Sequence, residues 1–590
     1  MKMNVTILYG SETGTAQDTA EQIWKSAKRN NLKCSVSSMD EYNITNLLFE
    51  KLVIFVVSTT GQGEPPTNMK RFWKFLLRKN LPTNSLIRLK YAVLGLGDSS
   101  YQKFNFAAKK LNKRLAQLGA IELIPIGLAD DQHDLGIDAV VNSWVQNLWT
   151  QFSETFSIPI TSILNFENPV IQRFQINLLM NPKIERNSEI TDIYARETLI
   201  NESVKVGTVL ENRRTTADDH FQDVRLIKLK TPGVEYTPGD VLYIRPKNSE
   251  EQVRKFFKVL NDNDVNLDPD AIIRVSEKEI KVPSVLQQDL KLHEIVEQYW
   301  DLNFKPRRST IQTLAFISDN ELEKEKLIEF TTAAGQEELF SYVNRPRRTI
   351  VEVFADFPNT TRKLSLEVLF EIMSPIKARA FSIASSLEAN RDETEILVAV
   401  VKYKTKLVEP RLGLCSNWLA RLKGGDSVIY WIQRGTFKFD WVKPMILIGP
   451  GTGVAPFRSL MMEKGRVDGH LKDCLLFFGC RNREKDYHCR EDFEKLARDY
   501  HLRIFCAFSR DQEEKVYVQH VIRQQGKLCW EFVSNGANIY LAGSSKNMPN
   551  SVREEFVSLA KNFGKMNEEE AEKFINLLEK NNRYQTETWE

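Results

Sequence analysis

Two glycine-rich turns, each lying between an apolar strand pattern and a helical pattern, constrain the fold of this chain more than any other feature. The first lies in Leu8–Ala16 near the N-terminus, and the second lies in Ile448–Pro456. Backbone N–H groups at a strand–turn–helix junction are well placed to bind phosphate. The two turns therefore predict two separate α/β domains, each with a phosphate-bearing ligand, and further segments between them.

Length and composition indicate a globular protein of several domains. At roughly 100–200 residues per domain, the 590 residues predict three or four domains. The hydrophobic content of 42% and the charged content of 27% are ordinary for such a protein. A net charge of +3 is too balanced for a nucleic-acid-binding protein, so no nucleic-acid partner is expected.

Neither a membrane segment nor a secretion signal is expected. The sequence has no run of 18 apolar residues, and its N-terminus leads directly into the strand pattern Val5–Tyr9. The seven cysteines are scattered and form no Cys-x-x-Cys pair, which argues against a disulfide framework or a metal site. These features predict a cytoplasmic protein that has no membrane anchor.

Residues 1–150 carry the pattern of a doubly wound parallel sheet. Strand patterns at Val5–Tyr9, Leu52–Val57, Tyr91–Leu96 and Ile121–Ile126 alternate with helical segments. The loops that follow successive strands should gather at one edge of the sheet. Hydroxyl groups and glycines in the first two loops suit a phosphate and a flat ring, and Tyr101 in the third offers an aromatic face.

These three loops resemble the FMN-binding loops of flavodoxins. Thr60 stands where related proteins often have a second aromatic residue against the flavin. The resemblance implies that the following residues bind FMN: Ser11, Glu12, Thr13, Gly14, Thr15, Ala16, Ser58, Thr59, Thr60, Gly61, Leu96, Gly97, Asp98, Ser99, Ser100, Tyr101, Gln102, Lys103, Phe104, Asn105 and Asp131.

A cluster of cations follows the second loop. Residues 1–150 contain more Lys and Arg than Asp and Glu, and the densest group is Lys70, Arg71, Lys74, Arg78 and Lys79. Such a group is often only a solvated surface. It would also steer an acidic protein partner towards the FMN edge.

Residues 151–202 are polar and contain several prolines, which predicts a linker. From 203 to 435, short strand patterns predict an antiparallel barrel, interrupted at about 250–374 by a helical insertion. Two motifs stand out in the barrel, Arg379–Ser386 and Gly413–Leu419. The first places a cation, an aromatic ring and a hydroxyl within four residues. The second opens a helix with Gly-x-x-Ser, which can hold a pyrophosphate.

Together these motifs resemble the FAD-binding signatures of the ferredoxin–NADP reductase family. The resemblance implies that FAD contacts Arg379, Ala380, Phe381 and Ser382 and that the helix start holds its pyrophosphate. The helix-start residues are Gly413, Leu414, Cys415 and Ser416. Arg347 is a further candidate FAD contact.

Residues 436–590 are predicted to form an α/β domain that binds NADPH. The buried-strand pattern Met445–Ile448 ends in the second glycine turn, as dinucleotide binding requires. Ser509, Arg510 and Lys515 supply a hydroxyl and two cations, which suit the 2′-phosphate of NADPH and favour NADPH over NADH. The full set of predicted NADPH contacts is Thr452, Ser509, Arg510, Lys515, Val516, Tyr517, Val518 and Gln519.

The candidate catalytic residues are Ser382, Glu587 and Trp589. An indole next to the C-terminus would be costly to expose, and in ferredoxin–NADP reductase-like enzymes a C-terminal aromatic residue covers the FAD ring. Many related enzymes place a cysteine where this chain has Ala542 and an aspartate where it has Glu587. Hydride transfer is therefore expected to proceed without a thiol.

The order of the motifs resembles the diflavin reductases along nearly the whole chain, and most closely those that serve cytosolic iron–sulfur assembly. Thr59–Pro66 and Thr586–Trp589 carry part of this resemblance. It implies electron flow from NADPH through FAD and FMN to an anamorsin-type iron–sulfur protein that is acidic at its docking surface. A cobalamin- or haem-dependent partner is the alternative acceptor. A flavin-less assembly scaffold is the non-enzymatic alternative.

Overall fold

The computed structural model describes residues 4–61, 63–101, 103–160, 170–179, 192–198, 204–389 and 391–589. The chain divides into two compact units. The first contains Met1–Arg186, Asn248–Pro375 and Thr405–Val408; the second contains Asn187–Lys247, Ile376–Lys404 and Glu409–Glu590. None of the described helices is long and apolar enough to cross a membrane.

The N-terminal part of the first unit is a six-stranded parallel sheet with helices, as the strand–helix alternation predicted. The strands run in the order β2-β1-β3-β4-β5, and β6 pairs with β4. The elements are β1 Asn4–Gly10, α1 Thr15–Arg29, β2 Lys33–Ser38, β3 Leu52–Ser58, α2 Lys70–Leu76, β4 Lys90–Gly97, α3 Phe106–Gln117, β5 Ile121–Glu122, β6 Gly127–Asp130 and α4 Asp138–Phe156. The side chains of β3 alternate between two apolar cores, with Trp24 and Trp149 on one face and Phe55 and Phe72 on the other.

The next stretch of chain combines barrel strands with the predicted insertion. Its elements are β7 Phe174–Leu179, α5 Ile193–Thr198, β8 Lys205–Arg214, β9 Val224–Lys230, β10 Val241–Arg245, α6 Glu250–Asp262, β11 Ile272–Glu277, β12 Leu290–Lys291, α7 Leu292–Gln298, α8 Arg308–Ile317, α9 Glu321–Thr331, α10 Gln336–Leu339, α11 Ile350–Asp356, α12 Pro358–Thr361 and α13 Leu366–Ile372. The stretch 151–202 was predicted to be a linker, yet α4 extends into it to Phe156, and it contains β7 and α5. Strand β7 pairs along its whole length with β11 of the insertion.

The barrel region 203–435 was predicted as one domain, but its insertion belongs to the first unit. Buried ion pairs explain this grouping. Lys25 of α1 lies 2.9 Å from Glu371 of α13, and Arg173 lies 2.9 Å from Glu21 and 3.2 Å from Glu371. Glu371 is almost fully buried, so these pairs are strongly directional contacts between α1 and the insertion.

The second unit joins an antiparallel sheet to a parallel one. The remaining elements are β13 Arg379–Ser382, β14 Glu393–Ala399, β15 Lys402–Tyr403, β16 Arg411–Leu412, α14 Leu414–Arg421, β17 Ser427–Gln433, β18 Met445–Pro450, α15 Ala455–Asp468, β19 Cys474–Cys480, α16 Arg483–Asp486, α17 Arg490–Tyr500, β20 Arg503–Phe508, α18 Val518–Gln524, α19 Gly526–Ser534, β21 Asn538–Ser544, α20 Met548–Asn562, α21 Glu568–Lys580 and β22 Tyr584–Trp589. The antiparallel order is β13-β10-β17-β8-β9-β14, and the parallel order is β20-β19-β18-β21-β22. The predicted fold class, with a doubly wound domain, an antiparallel barrel region and a second α/β domain, is confirmed.

Candidate cofactor and active sites

The predicted FMN loops meet at the carboxyl edge of the first sheet, because they follow β1, β3, β4 and β6. Hydrogen bonds connect them to one another. Ser58 Oγ donates to the Gly10 carbonyl at 3.2 Å, and the Ser99 N–H donates to Asp130 Oδ1 at 2.9 Å. The Asp131 N–H donates to the Gly97 carbonyl at 2.8 Å. The structure therefore assembles one rim from four separate parts of the sequence.

The first loop has the geometry of a phosphate cradle. Gly14 precedes α1 with a φ of 94°, and its N–H donates to Ser11 Oγ at 3.0 Å. The Ser11 N–H donates to Asn68 Oδ1 at 2.8 Å, and Glu12 accepts from the Thr67 N–H at 2.8 Å. The first N–H groups of α1 have no partner within the helix and face the loop, so this site fits the phosphate of FMN.

The loop after β4 contains both exposed and buried members. Ser99, Ser100 and Lys103 are exposed, and Tyr101 is partly exposed. Asn105 is fully buried and donates to the Ala129 carbonyl at 3.0 Å, so its side chain supports the loop from beneath. Leu96 is also buried. Gln102 lies outside the described residues.

Hydrogen bonds keep a carboxylate ionised at this edge. Burial raises the pKa of Asp130, but bonds from Ser99 and Gln132 outweigh it and lower the pKa below its usual value. Thr60, which stands where relatives often have an aromatic residue, donates its hydroxyl to the Glu64 carbonyl at 3.1 Å. A hydroxyl already bonded to the backbone offers little stacking surface at that position.

The predicted FAD residues of the second unit lie on β13 and at the start of α14. Arg379 and Ala380 are exposed, and Phe381 and Ser382 are partly exposed, along a strand that pairs with β10. Cys415 is buried, and burial raises the pKa of its thiol to about 12. Ser416 Oγ accepts from the Val401 N–H at 3.0 Å. Because these side chains are buried or bonded, the backbone N–H groups at the start of α14 are the groups that fit a pyrophosphate. Arg347 belongs to the first unit, unlike the other predicted FAD residues.

The second glycine turn is closed by backbone packing. A Cβ on Gly453 would lie 2.2 Å from the Ala542 carbonyl oxygen, and one on Gly449 would lie 2.8 Å from the Gly453 carbonyl oxygen. The turn runs through Gly451–Val454, including Thr452, into α15. This strand–turn–helix geometry fits a dinucleotide.

The loop after β20 carries the residues that are predicted to bind the 2′-phosphate of NADPH. Ser509 is buried, whereas Arg510, Lys515 and Tyr517 are exposed. Val516 and Gln519 are partly buried, and Val518 packs into the core, so its side chain supports the site.

The set of NADPH contacts predicted from the sequence did not include the loop after β19, which is hydrogen-bonded to the loop after β20. The Arg510 N–H donates to the Arg481 carbonyl at 2.8 Å, and Asn482 Nδ2 donates to Asp511 Oδ1 at 3.0 Å. These residues follow the buried strand pattern Cys474–Cys480, and this position in the sheet was the signal that could have identified them.

The C-terminal residues form an edge strand. Strand β22 runs parallel to β21, with Ala542 opposite Glu587 and Ser544 opposite Trp589. Trp589 is partly buried against the apolar core beneath β18. Thus strand pairing and core packing hold Trp589 in place, and the expectation from the sequence that its indole covers the FAD ring stays a prediction.

A hydrogen-bonded group joins the candidate catalytic residues. Ser382 Oγ donates to Glu587 Oε1 at 3.4 Å, and Thr436 Oγ1 donates to Glu587 Oε2 at 2.8 Å. Burial raises the pKa of Glu587, and the hydroxyl donors lower it only in part. Thr436 was missed because its partner lies far away in the sequence. Among the described residues, no group of His, Cys, Asp or Glu could hold a metal ion.

Comparison with known proteins gives three family matches. Residues 7–144 match the flavodoxin family, residues 201–418 match an FAD-binding domain, and residues 447–554 match an oxidoreductase NAD-binding domain. The chain is 45% identical to a Xenopus laevis protein named NADPH-dependent diflavin oxidoreductase 1, over the whole of both chains. Proteins of the same name from Danio rerio and Schizosaccharomyces pombe are 45% and 36% identical, over 99% of each chain.

Proposed function

The chain belongs to the NADPH-dependent diflavin oxidoreductases, and on that basis we propose that it delivers electrons to an acidic iron–sulfur protein in cytosolic iron–sulfur cluster assembly. Its cofactors are FMN, FAD and NADPH. When bound, FAD would supply the acceptor for hydride from NADPH, and FMN would supply the one-electron donor to the partner. As an enzyme of this family, the chain does not fit the alternative of a flavin-less scaffold.

Residues of the second unit prepare the hydride-transfer step. Arg510, Ser509 and Lys515 hold the 2′-phosphate. Trp589 shields the first FAD-binding motif, Arg379–Ser386 (the flavin motif), until NADPH enters. Ser382 and Glu587 form a short path along which a proton can be held or moved at the Glu587 carboxyl. Because burial raises the pKa of Glu587, this carboxyl exchanges protons closer to neutral pH than an exposed glutamate does.

The basic face of α2 supports the proposal that the partner has an acidic docking surface. Lys70, Arg71, Lys74, Arg78 and Lys79 are all exposed on or just after this helix. Helix α2 begins two residues after Asn68, whose side chain accepts from the N–H of Ser11 in the FMN loop. The basic face therefore borders the FMN rim, where an acidic partner would bring its cluster close to the electron donor.

Anaerobic absorbance spectroscopy tests this proposal. The full-length protein is mixed with limiting NADPH and an anamorsin-type [2Fe–2S] protein, and bleaching of the cluster bands is followed in time. Bleaching that depends on this protein is expected. If the flavins become reduced but the cluster stays oxidised, the iron–sulfur acceptor is wrong, and cobalamin- or haem-dependent partners are tested in its place.

A charge-reversal pair tests the docking face. Lys74→Glu with Arg78→Glu should slow cluster reduction at least tenfold at low salt and leave reduction of ferricyanide, a small inorganic acceptor, unchanged. Lys33→Glu with Lys51→Glu is the matched control, because both lysines are also exposed but lie at the amino ends of β2 and β3, at the opposite edge of the sheet. Equal effects of the two charge reversals would contradict docking on α2.

A further inference from the structure

Helix α15 contacts both ends of the hydride-transfer site. It starts at Ala455, directly after the nicotinamide turn Gly451–Val454. Arg458 Nη1, in its first turn, donates to the Ala384 carbonyl at 2.7 Å. The neighbouring Ser459 Oγ donates to the Ser385 carbonyl at 2.6 Å. The helix that begins at the dinucleotide turn is thus bonded to the backbone of the flavin motif, two residues beyond Ser382.

The contact continues along the next turns of the helix. Ser386 Oγ donates to Glu463 Oε2 at 3.3 Å. Further on, Arg466 Nη1 donates to the Glu388 carbonyl at 3.2 Å. Residues 384–386 and 388 are therefore held by side chains from one face of α15, and this segment follows the helix for about two turns.

Arg458 has more partners than a residue that only fills space would need. It is 4% exposed, and its guanidinium lies 2.7 Å from a Glu395 oxygen and 2.8 Å from an Asp492 oxygen. Strand β14 contributes Glu395, whose N–H donates to Ser385 Oγ at 2.9 Å. Well-packed apolar residues often stabilise a core as well as a buried ion pair does, but they do not fix the relative orientation of the segments that they join. The guanidinium does fix that orientation, because its donors form a rigid planar fork.

We propose that Arg458 is a positioning residue for hydride transfer. With Ser459, it locks the flavin motif at Ala384–Ser386 to the nicotinamide turn, so the two binding elements keep one relative geometry. A displacement of about 1 Å between reacting groups can slow a reaction about 100-fold. This inference concerns only the step from NADPH to FAD and holds whichever protein accepts the electrons.

The test compares the same substitution at two arginines of the second unit. Arg458→Lys keeps the charge but removes the fork. Arg553→Lys is the control, because Arg553 is 16% exposed, bridges Glu572 and Glu579 between α20 and α21, and has no contact with the flavin motif. For each full-length protein, flavin content, NADP⁺ affinity by calorimetry and melting temperature are measured. Single-turnover FAD reduction is followed with NADPH and with NADPH deuterated at the reacting carbon, and amide hydrogen exchange is followed in residues 384–388.

Arg458→Lys should reduce FAD at least tenfold more slowly, with a larger isotope effect and faster exchange in residues 384–388. Its flavin content should be unchanged and its NADP⁺ affinity within about twofold. Arg553→Lys should leave FAD reduction within about twofold even where its melting temperature falls. If Arg458→Lys also stays within twofold while it melts earlier, the contact is only structural and the proposal is wrong.

A milder variant covers the case in which Arg458→Lys loses FAD. Ser459→Ala removes one buried hydroxyl and leaves the ion pairs of Arg458 in place. With FAD retained, it should slow FAD reduction severalfold and accelerate exchange in residues 384–388. An unchanged rate and an unchanged isotope effect in Ser459→Ala would overturn the proposal.

Discussion

The carboxyl edges of the two parallel sheets both fit phosphate groups, but they are built differently. The edge of the first sheet consists of exposed loops held by polar side chains, such as Ser11 on Gly14 and Asn68 on Ser11. The edge of the second sheet is closed by backbone packing, since Gly453 lies directly against the carbonyl of Ala542. Glycine is thus required in the first loop by its conformation and in the second turn by space.

Because of this difference, the two edges should tolerate amino-acid substitutions to different degrees. A loop held by side-chain hydrogen bonds can lose one bond and retain its shape, because each bond contributes only about 1 kcal/mol. A turn that packs backbone against backbone has no flexible side chain to move aside. Substitutions at the nicotinamide edge should therefore have large effects, and those at the FMN edge should have graded ones.

The largest effect is expected for Gly453→Ala. Its Cβ would lie 2.2 Å from a backbone oxygen, so the turn or β21 must shift. We expect NADPH-dependent reduction of ferricyanide to fall at least about 100-fold while FMN stays bound. Gly424→Ala is the control, because Gly424 does not have a left-handed φ and a Cβ there would come no closer than 3.5 Å to another atom, the Leu210 carbonyl oxygen. Activity within tenfold of the parent would show that the close packing does not constrain the turn.

Arg510→Ala is expected to discriminate between the two nicotinamide cofactors. A charge-assisted bond to a phosphate contributes about 2 kcal/mol, so kcat/KM for NADPH should fall about 30-fold. The value for NADH, which lacks the 2′-phosphate, should change less than threefold. Arg498→Ala, another exposed arginine of this domain, is the control. Equal losses for both cofactors would exclude Arg510 from the 2′-phosphate site.

Thr436→Val should change how hydride transfer depends on pH. The Thr436 hydroxyl stabilises the charged form of Glu587, so its removal raises the pKa of this carboxyl further. If the ionised carboxylate is the active form, activity is lost as pH falls through that pKa. The acidic limb of the profile should then move to higher pH in Thr436→Val and disappear in Glu587→Gln. An acidic limb that is the same in all three proteins would assign it to another group.

Gly14→Ala is expected to have a moderate effect at the FMN edge. With a φ of 94°, an alanine is strained by about 1–2 kcal/mol, which corresponds to roughly tenfold weaker FMN binding. FMN fluorescence during dilution measures the dissociation constant, and FAD binding serves as the internal reference. A loss comparable to that of Gly453→Ala would mean that the two edges do not differ as the structure indicates.

The sequence predicted the strands that carry the loops because burial leaves a clear signal. Strands β1, β3 and β4 are almost continuous apolar runs, as expected for strands covered on both faces. It missed β2, because this edge strand is polar and half exposed. It also missed the pairing of β7 with β11 and of β22 with β21, since both pairings join segments that only the folded chain brings together.

In the candidate site, too, contacts between residues that are distant in the sequence could not be predicted. Motifs that are local in sequence, such as the glycine turns and Arg379–Ser382, could be found without a structure. Thr436 and Arg458 could not, because what defines them is a partner far along the chain, Glu587 for one and Ala384 for the other. A hydrogen bond between distant residues leaves no periodic pattern, whereas burial does.

The smallest effect is expected for Asn68→Ala, which tests how graded the FMN edge is. Asn68 Oδ1 accepts from the Ser11 N–H at 2.8 Å, and because this bond is only partly buried, water can replace the side chain. FMN binding should therefore weaken by only about fivefold or less. Asn46→Ala, at an exposed position before β3, is the control. Complete loss of FMN from Asn68→Ala would mean that one side chain determines the shape of the cradle, and the contrast between a loop held by separable bonds and a turn held by packing would no longer hold.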